Sequence, residues 1–322
     1  MSHKPVVLVT RKLPDAVEHK LAEHFELNLN PDDRQYGPEE MLQLASNVDA
    51  ILPCHTEKFS AETIALLPPR VKAIANFSVG VDHVDLEAAR QKGVIVTNTP
   101  DVLSDATAEI AMLLMLGAAR RASEGERIMR NQQWKDWSPA FMVGHQITGK
   151  RLGILGMGRV GQVVASRARG FDMTIHYHNR KPVDDSLAGA ATYHASVESL
   201  LSEIDVLSIH CPASGQTKGL LNSDRIALMH NNAIVVNTSR GGVVDDEALV
   251  KALESGRIAA AGLDVYNGEP DHIHPGYRKL DNVFLLPHIG SATRETRNAM
   301  GYRAMDNLIA IFKGEEPGDR VA

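Results

Sequence analysis

The sequence predicts an α/β protein with two parallel sheets, each doubly wound with helices on both faces. In the first hundred or so residues, short β-rich runs alternate with helical patterns, which is typical of a parallel sheet. A second alternation begins near Leu152 and continues to Leu285. The length of 322 residues exceeds the usual size of one hydrophobic core and so favours two domains.

The first half supplies the elements of one sheet. We predict strands at Val6–Thr10, Ala50–Leu52, Ala73–Asn76 and Ile95–Thr97. The helices predicted to alternate with them are Ala16–His24, Met41–Ser46, Ala61–Leu67 and Leu86–Lys92. A long helical stretch from Ser104 to Arg130 follows, with Ser104 as its N-cap, and we expect it to connect the two halves.

The second half repeats the alternation with more strands. These are predicted at Leu152–Leu155, Thr174–Tyr177, Val206–Ile209, Ile234–Asn237, Ala260–Leu263 and Val283–Leu285. Asp246 is the predicted cap of a helix over Glu247–Ser255, and Gly256 stands where a left-handed helix stop is favoured. The last helix is predicted over Thr293–Lys313.

Composition narrows the classes of partner and compartment. The net charge of -6, with signs interspersed, provides no basic stripe for nucleic acid. The longest uncharged apolar run, Ile110–Ala119, is about half of the roughly 20 residues that span a bilayer. The apolar run near the start is too short for a secretory signal. Cys54 and Cys211 lie far apart without a metal-ligand spacing, which favours a reducing compartment. We therefore expect a cytoplasmic protein without a metal, whose partners are small molecules or copies of itself.

A GxGxxG motif follows the first strand of the second half and leads into a helical stretch from Val160 to Arg169. Its residues are Gly156, Met157, Gly158, Arg159, Val160 and Gly161. Gly156 permits a tight turn, Gly158 allows backbone amides to approach a pyrophosphate, and Gly161 lets the helix pack on the strand. The strand and helix on either side favour a dinucleotide site over a ligand-free turn.

The end of the next strand bears on the choice of cofactor. NAD sites place an acidic side chain there, whereas this chain has Tyr177-His178-Asn179-Arg180-Lys181. Arg180, with Lys181 beside it, suits a 2'-phosphate through charge-assisted hydrogen bonds, and Asn179 can donate another. These residues favour NADP(H), although a solvated basic turn stays open as the alternative.

Three further residues follow strands of the second half, at the edge where open α/β sheets bind ligands. Arg240 can hold a substrate carboxylate as a two-pronged donor, and His288 can exchange a proton. Glu269 can stabilise the imidazolium by a hydrogen bond to His288. Each residue alone is more often an ordinary surface or hydrogen-bonding group. Together they suit reduction of a carbonyl.

At this point the sequence resembles the D-2-hydroxy acid dehydrogenase family, and within it the NADP-dependent glyoxylate and hydroxypyruvate reductases. The resemblance covers nearly the whole chain. It is carried by Ser78–His83, Thr99–Ser104, the Gly156–Gly161 fingerprint, His210-Cys211-Pro212 with Thr217, Asn237–Gly242, Gly262–Val265, Gly268–Pro270 and Pro287–Gly290.

The resemblance implies roles for particular residues. Arg240, Glu269 and His288 would form the catalytic triad, and the backbone amides of Val79 and Gly80 would help Arg240 and His288 bind the substrate. Asp264 would orient the nicotinamide carboxamide. Other residues expected to line the cofactor are Thr107, Cys211, Pro212, Thr217, Thr238, Ser239 and Gly290, in addition to residues 156–161 and 179–181.

The resemblance also implies an architecture. A Rossmann cofactor domain over residues 102–289 would interrupt a discontinuous, flavodoxin-like substrate domain over 1–101 and 290–322. A homodimer would form through the second domain, with the Ser104–Arg130 helix and the arm of Trp134 and Trp137 embracing the partner. The last helix would return to the N-terminal domain.

The function expected is hydride transfer from NADPH to glyoxylate or hydroxypyruvate, giving glycolate or D-glycerate. Two alternatives remain open. One is an NAD(P)-linked dehydrogenase of another substrate, such as D-lactate or phosphoglycerate. The other is a nucleotide-sensing protein that resembles the transcriptional corepressors of this architecture. Turnover of the purified chain separates the enzyme from the sensor.

Overall fold

The computed structural model describes residues 4–322, and the strands and helices named below are those of this range. The chain divides into two compact units. The smaller comprises the residues up to Leu103 together with Ala292–Ala322, and the larger is Ser104–Ser291. These divisions lie two residues from the boundaries expected from the sequence, which fall after residues 101 and 289.

The smaller unit contains a parallel sheet whose described strands follow the order β2-β1-β3-β4-β5. Its strands are β1 (Val6–Val9), β2 (Glu26–Asn28), β3 (Ala50–Leu52), β4 (Ala73–Ala75) and β5 (Ile95–Thr97). Its first helices are α1 (Asp15–His24), α2 (Pro38–Leu44), α3 (Ala61–Leu66) and α4 (Leu86–Lys92). This strand order is the flavodoxin-like one, and it confirms the predicted fold class for this unit.

The larger unit contains a second parallel sheet, ordered β12-β11-β10-β9-β6-β7-β8 among the described strands. The strands are β6 (Arg151–Leu155), β7 (Thr174–His178), β8 (Thr192–Tyr193), β9 (Val206–Ile209), β10 (Ala233–Asn237), β11 (Ile258–Leu263) and β12 (Val283–Leu285). The helices are α5 (Ser104–Ala119), α6 (Ala122–Arg130), α7 (Arg159–Arg169), α8 (Asp185–Ala188), α9 (Val197–Leu201), α10 (Ser223–Ile226) and α11 (Asp246–Glu254). Because the order reverses between β6 and β9, the Rossmann-type crevice lies at the carboxyl ends of these two strands.

The helix predicted over Ser104–Arg130 is two helices, so that prediction is wrong in this respect. The buried helix α5 ends at Ala119, and Arg121 adopts a left-handed φ of 54° before α6 begins. Helix α5 packs closely on its sheet, because a Cβ at Gly262 would lie only 2.7 Å from the Leu114 carbonyl oxygen. Helix α6 has no buried residue, and Arg121 binds Glu124 in its first turn. The helical stretch is therefore interrupted at the point where its residues are no longer buried.

The last helix, α12 (Arg294–Lys313), belongs to the smaller unit. Thr293 caps it by accepting a hydrogen bond from the Thr296 N–H at 3.1 Å. The helix lies directly against α1, since a Cβ at Gly301 would meet the Val17 side chain at 2.3 Å. The chain thus returns to its first sheet.

Other local details differ slightly from the prediction. The cap of α11 is Asp245 rather than Asp246, because the Asp245 carboxylate accepts from the Ala248 N–H at 3.1 Å. Gly256 has the expected left-handed φ of 71°. The short edge strands β2 and β8 are additional to those predicted. Among residues 4–322, no helix combines the length and apolar character that crossing a membrane requires.

Candidate active site

The fingerprint loop joins β6 to α7 at the crevice of the larger unit. Gly156 has a φ of 102°, and a Cβ there would lie 2.7 Å from the Cys211 backbone nitrogen. At Gly161 a Cβ would meet the Gly156 carbonyl oxygen at 2.3 Å, whereas at Gly158 it would meet no described atom within 4 Å. Two glycines are therefore required by packing, and the third leaves an open side at the N-terminus of α7, where a pyrophosphate fits. Met157, Arg159 and Val160 lie in the same turn.

The turn after β7 is tied to this loop. The Asn179 side-chain oxygen accepts from the Met157 N–H at 2.7 Å, which leaves the Asn179 amide nitrogen as a donor. Arg180 and Lys181 are exposed, and no acidic residue stands at positions 178–181. The structure therefore brings Asn179 to the fingerprint, with two cations beside it.

Arg240 follows β10 in a loop that Asn237 organises. The Asn237 side-chain oxygen accepts from the backbone N–H and hydroxyl of Ser239, and its amide donates to the Arg240 carbonyl at 3.0 Å. The Arg240 guanidinium donates to the Ser239 carbonyl at 2.8 Å. The side chain is thereby held close to its own loop at the sheet's carboxyl edge.

Glu269 and His288 are in contact. Their Oε1 and Nδ1 atoms lie 2.6 Å apart, and the other Glu269 oxygen accepts from the Tyr266 N–H at 2.9 Å. Because Nδ1 faces the carboxylate, Nε2 is the imidazole nitrogen that this pair makes available for exchanging a proton with a substrate. The predicted pair is thus assembled within the larger unit.

Asp264 fixes the backbone that follows His288. Its two carboxylate oxygens accept from the N–H groups of Ile289 and Gly290, each at 2.8 Å. Burial raises the pKa of Asp264 above its usual value, while these hydrogen bonds oppose that rise. Thr107 lies beside the same point, since a Cβ on Gly290 would be 3.5 Å from the Thr107 hydroxyl. The structure therefore brings Asp264, Gly290 and Thr107 together.

A second group of predicted cofactor residues follows β9 and β10. The His210 imidazole lies 2.8 Å from the Ser208 hydroxyl and 3.1 Å from the Thr238 hydroxyl. Burial lowers the pKa of His210 to about 4, so the ring is neutral at pH 7. After Cys211 the chain turns, and the Thr217 hydroxyl donates to the Pro212 carbonyl at 2.7 Å. Burial raises the pKa of the Cys211 thiol to about 11, which keeps it unreactive.

In the smaller unit, the loop Ser78–Gly80 is the one predicted to bind the substrate carboxylate. Its carbonyl oxygens all accept hydrogen bonds from within the unit. Thr99 N–H donates to the Ser78 carbonyl, the Asn98 amide to the Val79 carbonyl, and the Ser78 hydroxyl to the Gly80 carbonyl. Within residues 4–322, no hydrogen bond uses the N–H groups of Val79 and Gly80. These two amides are therefore available to an anionic ligand.

Tyr266 holds the segments of the candidate site together, and the sequence analysis did not identify it. Its hydroxyl oxygen lies 2.9 Å from the Leu263 carbonyl oxygen and 2.7 Å from that of Leu286, so its one proton is shared between them. Its backbone N–H donates to Glu269. A Cβ on Gly241 would lie only 1.9 Å from the Tyr266 carbonyl carbon. Tyr266 therefore contacts the segments that carry Arg240, Glu269 and His288. A tyrosine hydroxyl placed between backbone carbonyls leaves no sequence pattern, so no signal could have revealed it.

Comparison with known proteins shows that the sequence is similar to one enzyme family over most of its length. A family model described as "D-isomer specific 2-hydroxyacid dehydrogenase, NAD binding domain" matches residues 112–290. Glycerate dehydrogenase from Hyphomicrobium methylovorum is 43% identical over 315 residues, covering 97% of this chain and 98% of that protein. Glyoxylate reductase from Thermococcus onnurineus is 43% identical over 320 residues, covering 98% of this chain and 95% of that protein.

A solved structure matches over nearly the same length. It is an NADPH-dependent glyoxylate/hydroxypyruvate reductase from Sinorhizobium meliloti in complex with NADP and malonate. The TM-score is 0.87 at 32% sequence identity, and the match covers 99% of this chain and 97% of that one.

Proposed function

Since this chain belongs to the D-isomer specific 2-hydroxyacid dehydrogenase family, we propose that it reduces glyoxylate or hydroxypyruvate with NADPH, giving glycolate or D-glycerate. It is an oxidoreductase acting on small 2-keto acids, as its relatives' names indicate. The observation that carries the proposal is the 2.6 Å contact between Glu269 and His288 at the carboxyl edge of the Rossmann sheet.

The chemistry is divided among the chain's own groups. The free amides of Val79 and Gly80 in the smaller unit and the Arg240 guanidinium in the larger unit are each suited to the substrate carboxylate. His288, whose Nδ1 lies 2.6 Å from the Glu269 carboxylate, donates a proton from Nε2 to the carbonyl oxygen. Arg240 and the imidazolium stabilise the negative charge that develops on that oxygen. The bound nicotinamide supplies the hydride.

The residues of the larger unit fit a dinucleotide. We assign the pyrophosphate to residues 156–161, because Gly158 offers an open approach to the α7 N-terminus. The nicotinamide end is assigned to Thr107, Asp264 and Gly290, with Cys211, Pro212, Thr217, Thr238 and Ser239 along the way. We propose that this unit is the cofactor domain and that the smaller one is the substrate domain.

NADP(H) is proposed over NAD(H) because Arg180 and Lys181 are exposed cations at a strand end that lacks a carboxylate. The Sinorhizobium meliloti neighbour, which binds NADP, is compatible with this choice. The steady-state kcat/KM of the purified chain should be higher with NADPH than with NADH. The double variant Arg180→Ala/Lys181→Ala should lose that preference by about tenfold or more. Lys313→Ala removes an exposed cation elsewhere and serves as the control.

Turnover tests the function itself. Purified protein, NADPH and glyoxylate or hydroxypyruvate should give a steady loss of reduced-cofactor absorbance. Arg240→Lys should lower kcat/KM by about a hundredfold or more while NADPH still binds, because a lysine cannot reproduce the two-pronged contact. Absence of turnover with every 2-keto acid tried would favour a nucleotide-sensing protein, and turnover of only D-lactate or phosphoglycerate would favour the other dehydrogenases.

Two further proposals concern assembly and compartment. We propose a homodimer formed through the larger unit. Exposed apolar side chains lie at the C-terminal end of α6 and in the segment between α6 and β6. We also propose a reducing, cytoplasmic compartment, because both cysteines are free thiols.

A further inference from the structure

Arg297 lies in the first turns of α12, and its guanidinium has no carboxylate partner among residues 4–322. It is half-buried, and its Cζ lies 5.9 Å from the centroid of the Phe77 ring. Among residues 4–322, no hydrogen bond or ion pair involves its side chain. Phe77 follows β4 and leads directly into the Ser78–Gly80 loop. The cation is therefore next to Phe77, the residue that leads into the loop whose free amides suit a substrate carboxylate.

The groups around Arg297 do not neutralise it. Its electrostatic neighbour is Cys54, and burial raises the pKa of that thiol to about 12, so the thiol is uncharged at neutral pH. The nearby carboxylate of Glu57 is already bound by the Thr10 hydroxyl, the Cys54 N–H and the Thr56 hydroxyl. Burial lowers the pKa of Arg297, yet an arginine stays protonated in proteins. The folded chain thus keeps a partly desolvated positive charge without a counter-ion.

Comparable arginines of the same unit are paired. Arg11 binds Asp33 through two nitrogens, and Arg303 binds Asp319 in the same way. A partly buried charge without a partner costs stability, because its lost hydration is not replaced. Such a charge at the carboxyl edge of an α/β sheet, where ligands bind, indicates that a ligand supplies the missing acceptor.

Resting on the function proposed above, we propose that Arg297 binds a polar or anionic substituent at C3 of the 2-keto acid and so favours hydroxypyruvate over glyoxylate. Within the smaller unit, the amides of Val79 and Gly80 already serve as donors to the substrate carboxylate. An additional guanidinium in this unit is in excess for glyoxylate, which carries no further acceptor. It is used when the substrate carries a C3 oxygen.

The consequence is a selectivity that depends on one side chain. A site built to hydrogen-bond a hydroxyl binds the analogue without it poorly, because the partly buried donor is then left unpaired. Hydroxypyruvate should therefore have the higher kcat/KM in the wild-type enzyme, and a 2-keto acid with a carboxylate on C3 should also be accepted. Pyruvate, with only a methyl group there, should be used less well.

The test compares two substrates in matched variants. Arg297→Met keeps an unbranched, apolar side chain next to Phe77 but removes the hydrogen-bond donors and the charge. We expect kcat/KM for hydroxypyruvate to fall by about ten- to a hundredfold, with glyoxylate nearly unchanged. Arg297→Lys should restore part of the hydroxypyruvate activity. Arg294→Met removes an exposed arginine of the same helix and should leave both substrates unaffected.

A stability measurement separates binding from folding. Because Arg297 lacks an anionic partner, its replacement by Met should leave the thermal midpoint unchanged or raise it. The proposal for Arg297 would be overturned if the ratio of kcat/KM for hydroxypyruvate to that for glyoxylate stayed the same in Arg297→Met. It would also be overturned if the variant had a lower thermal midpoint and no activity with either substrate. A wild-type protein that reduces neither substrate would instead refute the proposed function.

Discussion

At the scale of single residues, His288 shows how the candidate site is held in place. Its φ of 54° is unusual for a residue with a large side chain, and neighbours must stabilise it. Asp264 binds the two amides that follow His288, and the Tyr266 hydroxyl binds the Leu286 carbonyl before it. The imidazole therefore faces Glu269 because its backbone is fixed on both sides.

Glu269→Gln should slow the enzyme while leaving the cofactor site intact. The amide keeps the shape of the side chain but removes the negative charge 2.6 Å from the His288 ring. We expect kcat/KM at neutral pH to fall by about a hundredfold, because proton transfer by His288 depends on this partner. Steady-state kinetics measure this, with cofactor binding as the control. An unchanged kcat/KM would contradict the role given to the carboxylate.

His210 predicts how stability depends on pH. Its pKa in the folded protein is about 4, below the ordinary 6.5, because burial disfavours the charged ring. Between these values the unfolded chain binds a proton that the folded chain does not, so stability is complete above about pH 6.5 and is lost towards pH 4. The contribution is about 3 kcal/mol at most.

His210→Gln is the corresponding variant. Glutamine can bind both hydroxyls that His210 contacts but does not titrate. The free energy of unfolding, measured with denaturant at several pH values, should therefore rise less steeply from pH 4 to 6.5 than in the wild type. His272→Gln, at an exposed histidine outside this cluster, serves as the control. Parallel curves for wild type and His210→Gln would show that His210 is not the titrating group.

At the scale of elements, the loops after β10 and β11 fit together as one unit. Gly241, next to Arg240, lies so close to the Tyr266–Asn267 backbone that no side chain fits between them. The Asn267 amide also donates to the Asp246 carboxylate at 2.9 Å, which binds the second loop to the start of α11. Arg240 and Glu269 are thus positioned by contact between their loops.

Gly241→Ala should disturb both residues at once. A Cβ there would lie 1.9 Å from the Tyr266 carbonyl carbon, so the two loops must separate. We expect a loss of about 1–3 kcal/mol in unfolding free energy and a larger proportional loss of kcat than of NADPH affinity. Denaturant unfolding and steady-state kinetics measure the two effects. Gly37→Ala, where a Cβ meets nothing within 4 Å, is the control, and equal behaviour of the two variants would refute the packing argument.

The same elements show what a sequence can and cannot predict. The inner strands were predictable because runs such as Val6–Val9 are continuously apolar, as is typical of buried parallel strands. The edge strand Thr192–Tyr193 carries no such run, and the break at Arg121 lies within a continuous helical pattern. The Glu269–His288 contact followed from residue types at strand ends. The contacts of Tyr266 and Arg297 could not be predicted in this way, because side-chain contacts between distant segments depend on the complete fold.

At the scale of the whole molecule, one exposed segment remains to be explained. Residues 131–141, between α6 and β6, are all exposed. The exposed apolar side chains in this segment and directly next to it are Met129, Trp134, Trp137, Phe141 and Val143. Trp137 is 75% exposed, which is a large apolar area to leave in water. A second copy of the chain would cover these side chains, which is the basis of the proposed homodimer.

The double variant Trp137→Ser/Phe141→Ser should weaken that dimer. Wild-type protein is expected to sediment at about twice the 35.1 kDa of one chain, because covering two indole rings and their apolar neighbours favours association. Removing one indole and one phenyl ring per chain should move the protein towards monomer at micromolar concentration. Leu66→Ser, at a 62% exposed leucine of α3 in the other unit, should leave the mass unchanged. A monomeric wild type would refute the dimer. A variant that stays dimeric would place the interface away from this segment, because an interface formed by these rings cannot lose them without losing affinity.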